Sequence, residues 1–284
     1  MWQNVIEALK AFFFGVVQGV TEWLPISSTG HLIILNQFLN LNVSDEFWNM
    51  FKVVIQFGSI FAVIILYWNK LWPFGKKDNK YPVKEEGALS YFKKDTFSMW
   101  FKILVACIPA ALAIPFEDKI DKYLSNYMTV AVSLIVFGIA FIIIEILHKN
   151  KTAKINSIAD IKYSTAFIIG IFQLIAAVFP GTSRSGATII GALILGLSRK
   201  TSAEFSFFLA VPAMLGASLI NIIKFGFNYT PMEIMVLLIG MITAFIVSVF
   251  VIKFLMSYIK KHDFKIFGYY RIVLGVIVIL VFSL

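Results

Sequence analysis

Charge is scarce in this sequence. Asp, Glu, Lys and Arg make up 14% of its 284 residues, against 59% hydrophobic residues. A soluble domain must clothe its surface in polar groups, so this composition excludes one. Cysteine is nearly absent: Cys107 stands alone, which rules out an intramolecular disulfide and any cysteine-based metal framework. Lying inside an apolar segment, it reads as a small packed hydrophobe. Histidine is limited to three, and two of them, His148 and His262, sit among lysines where a solvated surface role is expected. A net charge of +9 invites nucleic acid as a partner. However, the Lys and Arg residues cluster in short loops between apolar spans, the pattern that orients a membrane protein, so no nucleic acid is expected. Apolar runs recur along the whole length, so the first of them, Val5 to Val20, reads as part of the mature protein and not as a removable signal.

Six segments have the length and apolarity of membrane spans, for which about 20 residues suffice. They are Phe47 to Trp68, Met99 to Pro115, Tyr127 to Leu147, Phe205 to Phe225, Glu233 to Met256 and Tyr269 to Leu284. Two further regions, Ile6 to Leu39 and Tyr163 to Leu197, are apolar but broken midway by Pro, Gly, Ser and Thr, and each reads as two short helices around a loop. These broken regions match each other. Gly15, Gln18, Pro25 and Ser28 fall opposite Gly170, Gln173, Pro180 and Ser183, each 155 positions later. Glu46, Phe47 and Gly58 then fall opposite Glu204, Phe205 and Gly216, 158 positions later. The fold expected is therefore an all-α integral membrane protein made of one membrane domain, residues 1–284, with repeat 1 over 1–147 and repeat 2 over 148–284. Each repeat is a helix-loop-helix pair followed by three transmembrane helices.

Most lysines lie in Asn69 to Ser98, His148 to Lys162 and Ser257 to Gly268, which assigns these loops to the cytoplasm. The acidic connections, carrying Asp45, Glu46, Glu117, Asp118 and Asp121, then lie outside as solvated faces. Counting spans from these anchors makes both broken pairs re-entrant, entering from opposite sides, so that the two repeats are inverted copies. Irregular backbone at membrane depth survives only when buried in protein or lining a wet cavity, so the two loops should meet near the midplane.

The first loop carries Gln18, Glu22, Ser27, Ser28, Thr29, Gly30 and His31, and the second carries Gly181, Thr182, Ser183, Arg184, Ser185 and Gly186. Each opens directly into a helix, whose free N–H groups and positive dipole end make an anion site. Arg184 adds a planar fork of donors matched to phosphate oxygens, which points to a phosphate ligand. Glu22 and His31 are the candidates for chemistry, because an ionisable group within a bilayer costs ~2.5–3.5 kcal/mol even on lenient scales. With phosphate oxygens, Glu22 and Gln18 form a ligand pair for a divalent cation such as Mg²⁺ or Ca²⁺. His31 can move a proton near neutral pH, and Ser28 becomes a nucleophile if His31 activates it. Gln173 has no carboxylate beside it and is expected to be structural, and Glu145, near a helix end, is expected to snorkel.

The run from Gly19 through Glu22 and Pro25 to His31, followed by Pro180-Gly181-Thr182-Ser183-Arg184-Ser185-Gly186, resembles the two signature motifs of the undecaprenyl-diphosphate phosphatases, also called bacitracin-resistance proteins. The resemblance runs essentially end to end. It implies hydrolysis of undecaprenyl diphosphate to undecaprenyl phosphate, recycling the lipid carrier for peptidoglycan synthesis in a bacterial plasma membrane, with the site open to the outer face and a divalent cation required. It also implies that Glu22, His31 and Arg184 are catalytic, with Ser27, Ser28, Thr29, Ser183 and Ser185 around the phosphates and Gly30, Gly181, Thr182 and Gly186 completing the cradle. Serine, histidine and water all stay open as the nucleophile. Two departures stand out: Gln18 occupies a position where many members have glutamate, and Trp23 one where phenylalanine is common.

Inverted repeats with broken helices are also how secondary transporters are built, so a flippase for a polyprenyl phosphate carrier is the alternative. The expected partners are the polyprenyl diphosphate lipid and the bilayer, with a homodimer open beside a monomer. The orientation predicts both termini outside. A reporter fused after Leu284 should be active only in a form that works outside the membrane, and activity of a cytoplasmic reporter there would reverse the assignment.

Overall fold

Apolar runs without polar interruption form single helices here, and the runs broken by Pro, Gly, Ser and Thr form pairs. The computed structural model describes residues 2–75, 83, 88–149 and 151–283. Among these, the α-helices in chain order are α1 (Trp2–Thr21), α2 (Ser28–Phe38), α3 (Asp45–Leu66), α4 (Trp68–Leu71), α5 (Lys94–Ala111), α6 (Glu117–Leu124), α7 (Tyr127–His148), α8 (Tyr163–Val178), α9 (Arg184–Ile194), α10 (Arg199–Phe225), α11 (Pro231–Tyr258) and α12 (Lys265–Ser283). Six helical segments are long and apolar enough to cross a membrane: Asp45–Leu66, Lys94–Phe116, Tyr127–His148, Arg199–Phe225, Pro231–Tyr258 and Lys265–Phe282. These are the six expected spans. Several begin up to six residues earlier than hydropathy alone suggests, because the first turns of α5, α10 and α12 carry Lys, Arg or Asp. The connection expected between Phe116 and Asn126 contains the short amphipathic α6. Much of the lysine-rich loop Asn69 to Ser98, the side chains of Asp118 and Asp121, and Leu284 lie outside the described residues.

The packing has a pattern. Helix α1 lies on α11 and α8 lies on α5; α3 touches α11 and α10 touches α5; α3 pairs with α10 and α7 with α12. Exchanging α1, α2, α3, α5 and α7 for α8, α9, α10, α11 and α12 returns these same pairs. Gly15 and Gly170 occupy equivalent crossings. A Cβ on Gly15 would sit 2.7 Å from the Gly240 oxygen, and one on Gly170 only 2.3 Å from the Ala106 oxygen. Helices in a membrane gain contact by close backbone approach at small residues, and these crossings set how near each broken helix stands to its neighbour.

Both second halves of the broken pairs are 11 residues long. Their N-caps, Ser27 with φ 74 and Ser183 with φ 69, are the positive-φ non-glycine residues among those described. Each serine hydroxyl accepts the N–H three residues on, from Gly30 and Gly186. This geometry corrects the repeat register. Ser27, not Ser28, is the counterpart of Ser183, and Ser28 is the counterpart of Arg184. The second loop is one residue longer after its proline, and the extra residue is Gly181, which has φ 90 and would place a Cβ 2.6 Å from the Val130 oxygen. Only glycine fits that turn.

Arg271 of α12 holds the two loops to each other. It is fully buried, and its guanidinium donates to Pro25 O of the first loop at 3.2 Å and to Gly181 O and Thr182 O of the second at 3.0 and 2.8 Å. Longer contacts reach Ser133 O and Leu134 O of α7, both at 3.4 Å. Among the described residues no carboxylate pairs with it, so backbone carbonyls, with the face of the Phe137 ring 5.9 Å away, stabilise the charge. Arg271→Leu should strip loop carbonyls of their donor at about 1–3 kcal/mol for each one left unsatisfied. The expected result is a clearly lower unfolding midpoint in detergent together with loss of function, and an unchanged midpoint would show that the loops do not depend on this tie.

Candidate active site

Glu22 lies just past the end of α1, and Ser28 and Arg184 open α2 and α9. The fold brings the three together. Glu22 Oε1 accepts from Arg184 Nη2 at 2.8 Å, and Glu22 Oε2 accepts from Ser28 Oγ at 2.7 Å and Gln18 Nε2 at 2.8 Å. Arg184 is further held by Ser206 O at 3.0 Å and Met214 Sδ at 3.3 Å. Its guanidinium stands 5.9 Å over the ring of Trp23. Trp23 is fully buried and meets Phe207 edge-on at 5.2 Å, while its indole nitrogen finds no partner among the described residues. Tryptophan thus acts here as an aromatic surface only, a role that a phenylalanine ring would also fill.

These groups sit at the polar end of a cavity of about 590 Å³ lined by Glu22, Ser27, Ser28, Thr29, Gly181, Ser183 and Arg184. The remaining wall is mainly apolar and comes from α5, the turn after it, α6, α8 and α10, including Leu104, Ile114, Ile120 and Ile220. From Met214 beside Arg184 to Asn221 the wall follows α10 for about 10 Å. Two helix starts therefore face a common space. A first turn leaves its leading N–H groups without intrahelical partners. Those of Gly30 and Gly186, expected to bind phosphate, are instead taken by the cap serines, which leaves the N–H groups of Ser28, Thr29, Arg184 and Ser185. Ser185 is also redirected, since its hydroxyl laces the loops together through Glu22 O at 3.2 Å and meets Ser183 Oγ at 3.1 Å. Thr182 is fully buried outside the lining.

His31 is the main difference from expectation. It lines no part of this cavity. Its Nδ1 lies 2.7 Å from Ser27 O and its Nε2 2.7 Å from the Tyr270 hydroxyl, with the two ring planes 4° apart. A carbonyl only accepts, so Nδ1 carries the proton and, in the neutral ring, Nε2 accepts from Tyr270. The expected His31–Ser28 pair is not formed; Ser28 is paired with Glu22. His31, four residues after Ser27, steadies the carbonyl of the strained cap.

Gln173, expected to be structural, lines the cavity, and its buried Oε1 has no partner among the described residues. Its position in the repeat, opposite Gln18, was the signal that could have found it. Glu145 does not snorkel: it is 1% exposed and accepts from Arg199 and from Phe264 N.

The residues present can be tested against the expected divalent cation. No group of three or more His, Cys, Asp or Glu that could hold a metal exists among the described residues. Protein oxygens would come from Glu22 and from Gln18, whose buried Oε1 lacks a partner. Turning the Gln18 amide over would place that oxygen beside the carboxylate. One carboxylate, one amide oxygen and the phosphates of a ligand suit a cation such as Mg²⁺, which takes few protein ligands.

Against known proteins, the family model described as Bacitracin resistance protein BacA matches residues 11–277. The chain is 58% identical to an undecaprenyl-diphosphatase of Desulfitobacterium hafniense, over 98% of this chain and 97% of that one. It is 57% identical to undecaprenyl-diphosphatase 1 of Clostridium acetobutylicum and 55% identical to an undecaprenyl-diphosphatase of Acetivibrio thermocellus, each over 98% of both chains. With the loops, the cavity and a match of this extent in hand, the chain belongs to the bacitracin resistance protein BacA family.

Proposed function

We infer that the protein hydrolyses undecaprenyl diphosphate to undecaprenyl phosphate and inorganic phosphate, returning the lipid carrier to peptidoglycan synthesis and conferring bacitracin resistance. The observation that carries this reading is Glu22, bonded at once to Arg184 and to the Ser28 hydroxyl where two helix starts meet. An apolar trench leading away from that polar end suits a substrate with a charged head and a prenyl tail. The flippase alternative is not favoured, since the relatives are named as diphosphatases.

In the reading proposed here, the diphosphate draws the Arg184 fork away from Glu22, and the first-turn N–H groups of α2 and α9 bind the remaining phosphate oxygens. Preorganised donors of this kind do most of the work in phosphoryl transfer. Glu22 keeps its contact with Ser28 and takes the hydroxyl proton as Ser28 Oγ attacks the terminal phosphorus. The bond to the bridging oxygen breaks and undecaprenyl phosphate leaves. Water then attacks the phosphoserine, the P–Oγ bond breaks as Glu22 returns its proton to Ser28 Oγ, and the water's proton leaves on the released inorganic phosphate. A bound divalent cation, Mg²⁺ or Ca²⁺, would neutralise charge on the diphosphate from a position held by Glu22 and Gln18. Gln173 supplies an amide to the same space.

The finer architecture belongs to this proposal. Two inverted repeats, each with a re-entrant pair, would explain why the helix contacts map onto themselves when the halves are exchanged. The cavity runs toward Asn221 and Glu117, next to connections that the lysine distribution assigns to the outside, so the site opens to the outer face of the bacterial plasma membrane. Both loops come from one chain, so catalysis does not require the homodimer.

Phosphate release from a C55 polyprenyl diphosphate by purified protein should fall by about 10²–10³ in kcat for Arg184→Lys and by about 10²–10⁴ for Glu22→Gln. It should also be lost with chelator and restored by Mg²⁺. Wild-type rates in both variants, with the fold intact, would remove these residues from the chemistry. Ser28→Ala should abolish turnover and the trapping of a phosphoserine, while His31→Asn, which keeps a donor for Ser27 O, should retain more activity. The opposite ranking would return the proton transfer to His31.

A further inference from the structure

A second cavity lies at the far end of α9 from Arg184. It measures about 720 Å³ and is formed by the end of α7, the segment after it, the end of α9 and the turn that follows, the start of α10 and Ile259 just past α11. It shares no lining residue with the catalytic cavity. The 11 residues of α9 put about 16 Å between the two.

Its charge is one-sided. Lys151, Lys154, Arg199 and Lys200 line it with His148, against a single carboxylate, Glu145. That carboxylate is already used: it accepts from Arg199 Nε at 2.9 and 3.1 Å and from the Phe264 N–H at 3.0 Å. No acidic side chain among the described residues pairs with Lys151, Lys154 or Lys200. Cations gathered in a concave site repel one another, and an anion among them relieves that repulsion. The cavity floor is also built and not a loose loop. Lys154 N and Ile155 N both donate to Gly196 O, at 2.9 and 3.1 Å, and Ser198 N donates to Ile155 O at 2.9 Å.

The surroundings select the kind of anion. Ile194, half exposed, and Ile259 border the basic groups, so the cavity joins a charged part to the apolar flank of the helices. A free phosphate makes no use of that flank, whereas a phospholipid fits both parts. We propose that this cavity binds the phosphate headgroup of an anionic phospholipid, at the end of the protein opposite the catalytic site. The lysine-rich segment that walls it is the one assigned to the cytoplasm, where the facing leaflet carries anionic lipids. This site is independent of hydrolysis and stands or falls separately from it.

The test uses full-length protein in a neutral detergent and native mass spectrometry. The probes are dioctanoyl phosphatidylglycerol, dioctanoyl phosphatidylcholine and inorganic phosphate. Wild type is compared with a Lys151→Gln, Lys154→Gln, Lys200→Gln variant and with its Lys→Arg equivalent, all matched for unfolding midpoint and for diphosphate hydrolysis. Wild type and the Arg variant should retain one more phosphatidylglycerol than the Gln variant, whose affinity at that site should fall about a hundredfold. Equal retention by the Gln variant, or loss in the Arg variant as well, overturns the site. Equal retention of phosphatidylcholine, or displacement of phosphatidylglycerol by inorganic phosphate, overturns the lipid assignment.

Discussion

A guanidinium buried with no carboxylate paired to it among the described residues is the constraint on which the rest of this structure depends. Arg271 reaches carbonyls on both broken loops, Pro25 on one side and Gly181 and Thr182 on the other. Loop backbone has few partners inside a membrane, where water is absent and each unsatisfied carbonyl is costly. One side chain satisfies several at once, and in doing so fixes the distance between two segments about 155 residues apart in sequence. The helix starts of α2 and α9 can face a shared cavity only because their preceding loops are pinned to the same post. The close glycine crossings of α1 on α11 and α8 on α5 hold the other halves of the broken pairs in matching positions.

Within that frame the site is electrostatically poised. Glu22 is paired with Arg184 and saturated by Ser28 and Gln18, so neither charge is left bare. Breaking a buried pair without replacement costs about 3–5 kcal/mol. On the proposed reading a phosphate is the replacement, because two of its oxygens meet the planar guanidinium fork and carry more charge than a carboxylate. On that reading the Glu22–Arg184 contact would exclude ligands that lack such oxygens.

Much of this was legible in the sequence, and the remainder failed for physical reasons that differ from residue to residue. The six spans follow from uninterrupted apolar length, and the broken pairs from Pro, Gly, Ser and Thr in otherwise apolar runs. Glu22, Ser28 and Arg184 were legible because ionisable and hydroxyl groups in such surroundings need a purpose. The partner of Ser28 was not, since spacing cannot tell whether His31 turns toward Ser28 or, one helical turn back, to the Ser27 carbonyl. The one-residue slip at Gly181 was hidden because an ungapped match on either side of a loop says nothing about the loop itself. Arg271 carried a readable signal, an arginine inside the apolar run Tyr269 to Leu284, but its partners are backbone carbonyls that no side-chain pattern reveals.

The trench along α10 has a further meaning. It follows α10 for only about 10 Å from the Arg184 end. On the proposed reading a long prenyl chain would leave the protein after its first few units and continue among the lipid tails, so that recognition would end long before the substrate does and would measure the head of the lipid and not its length.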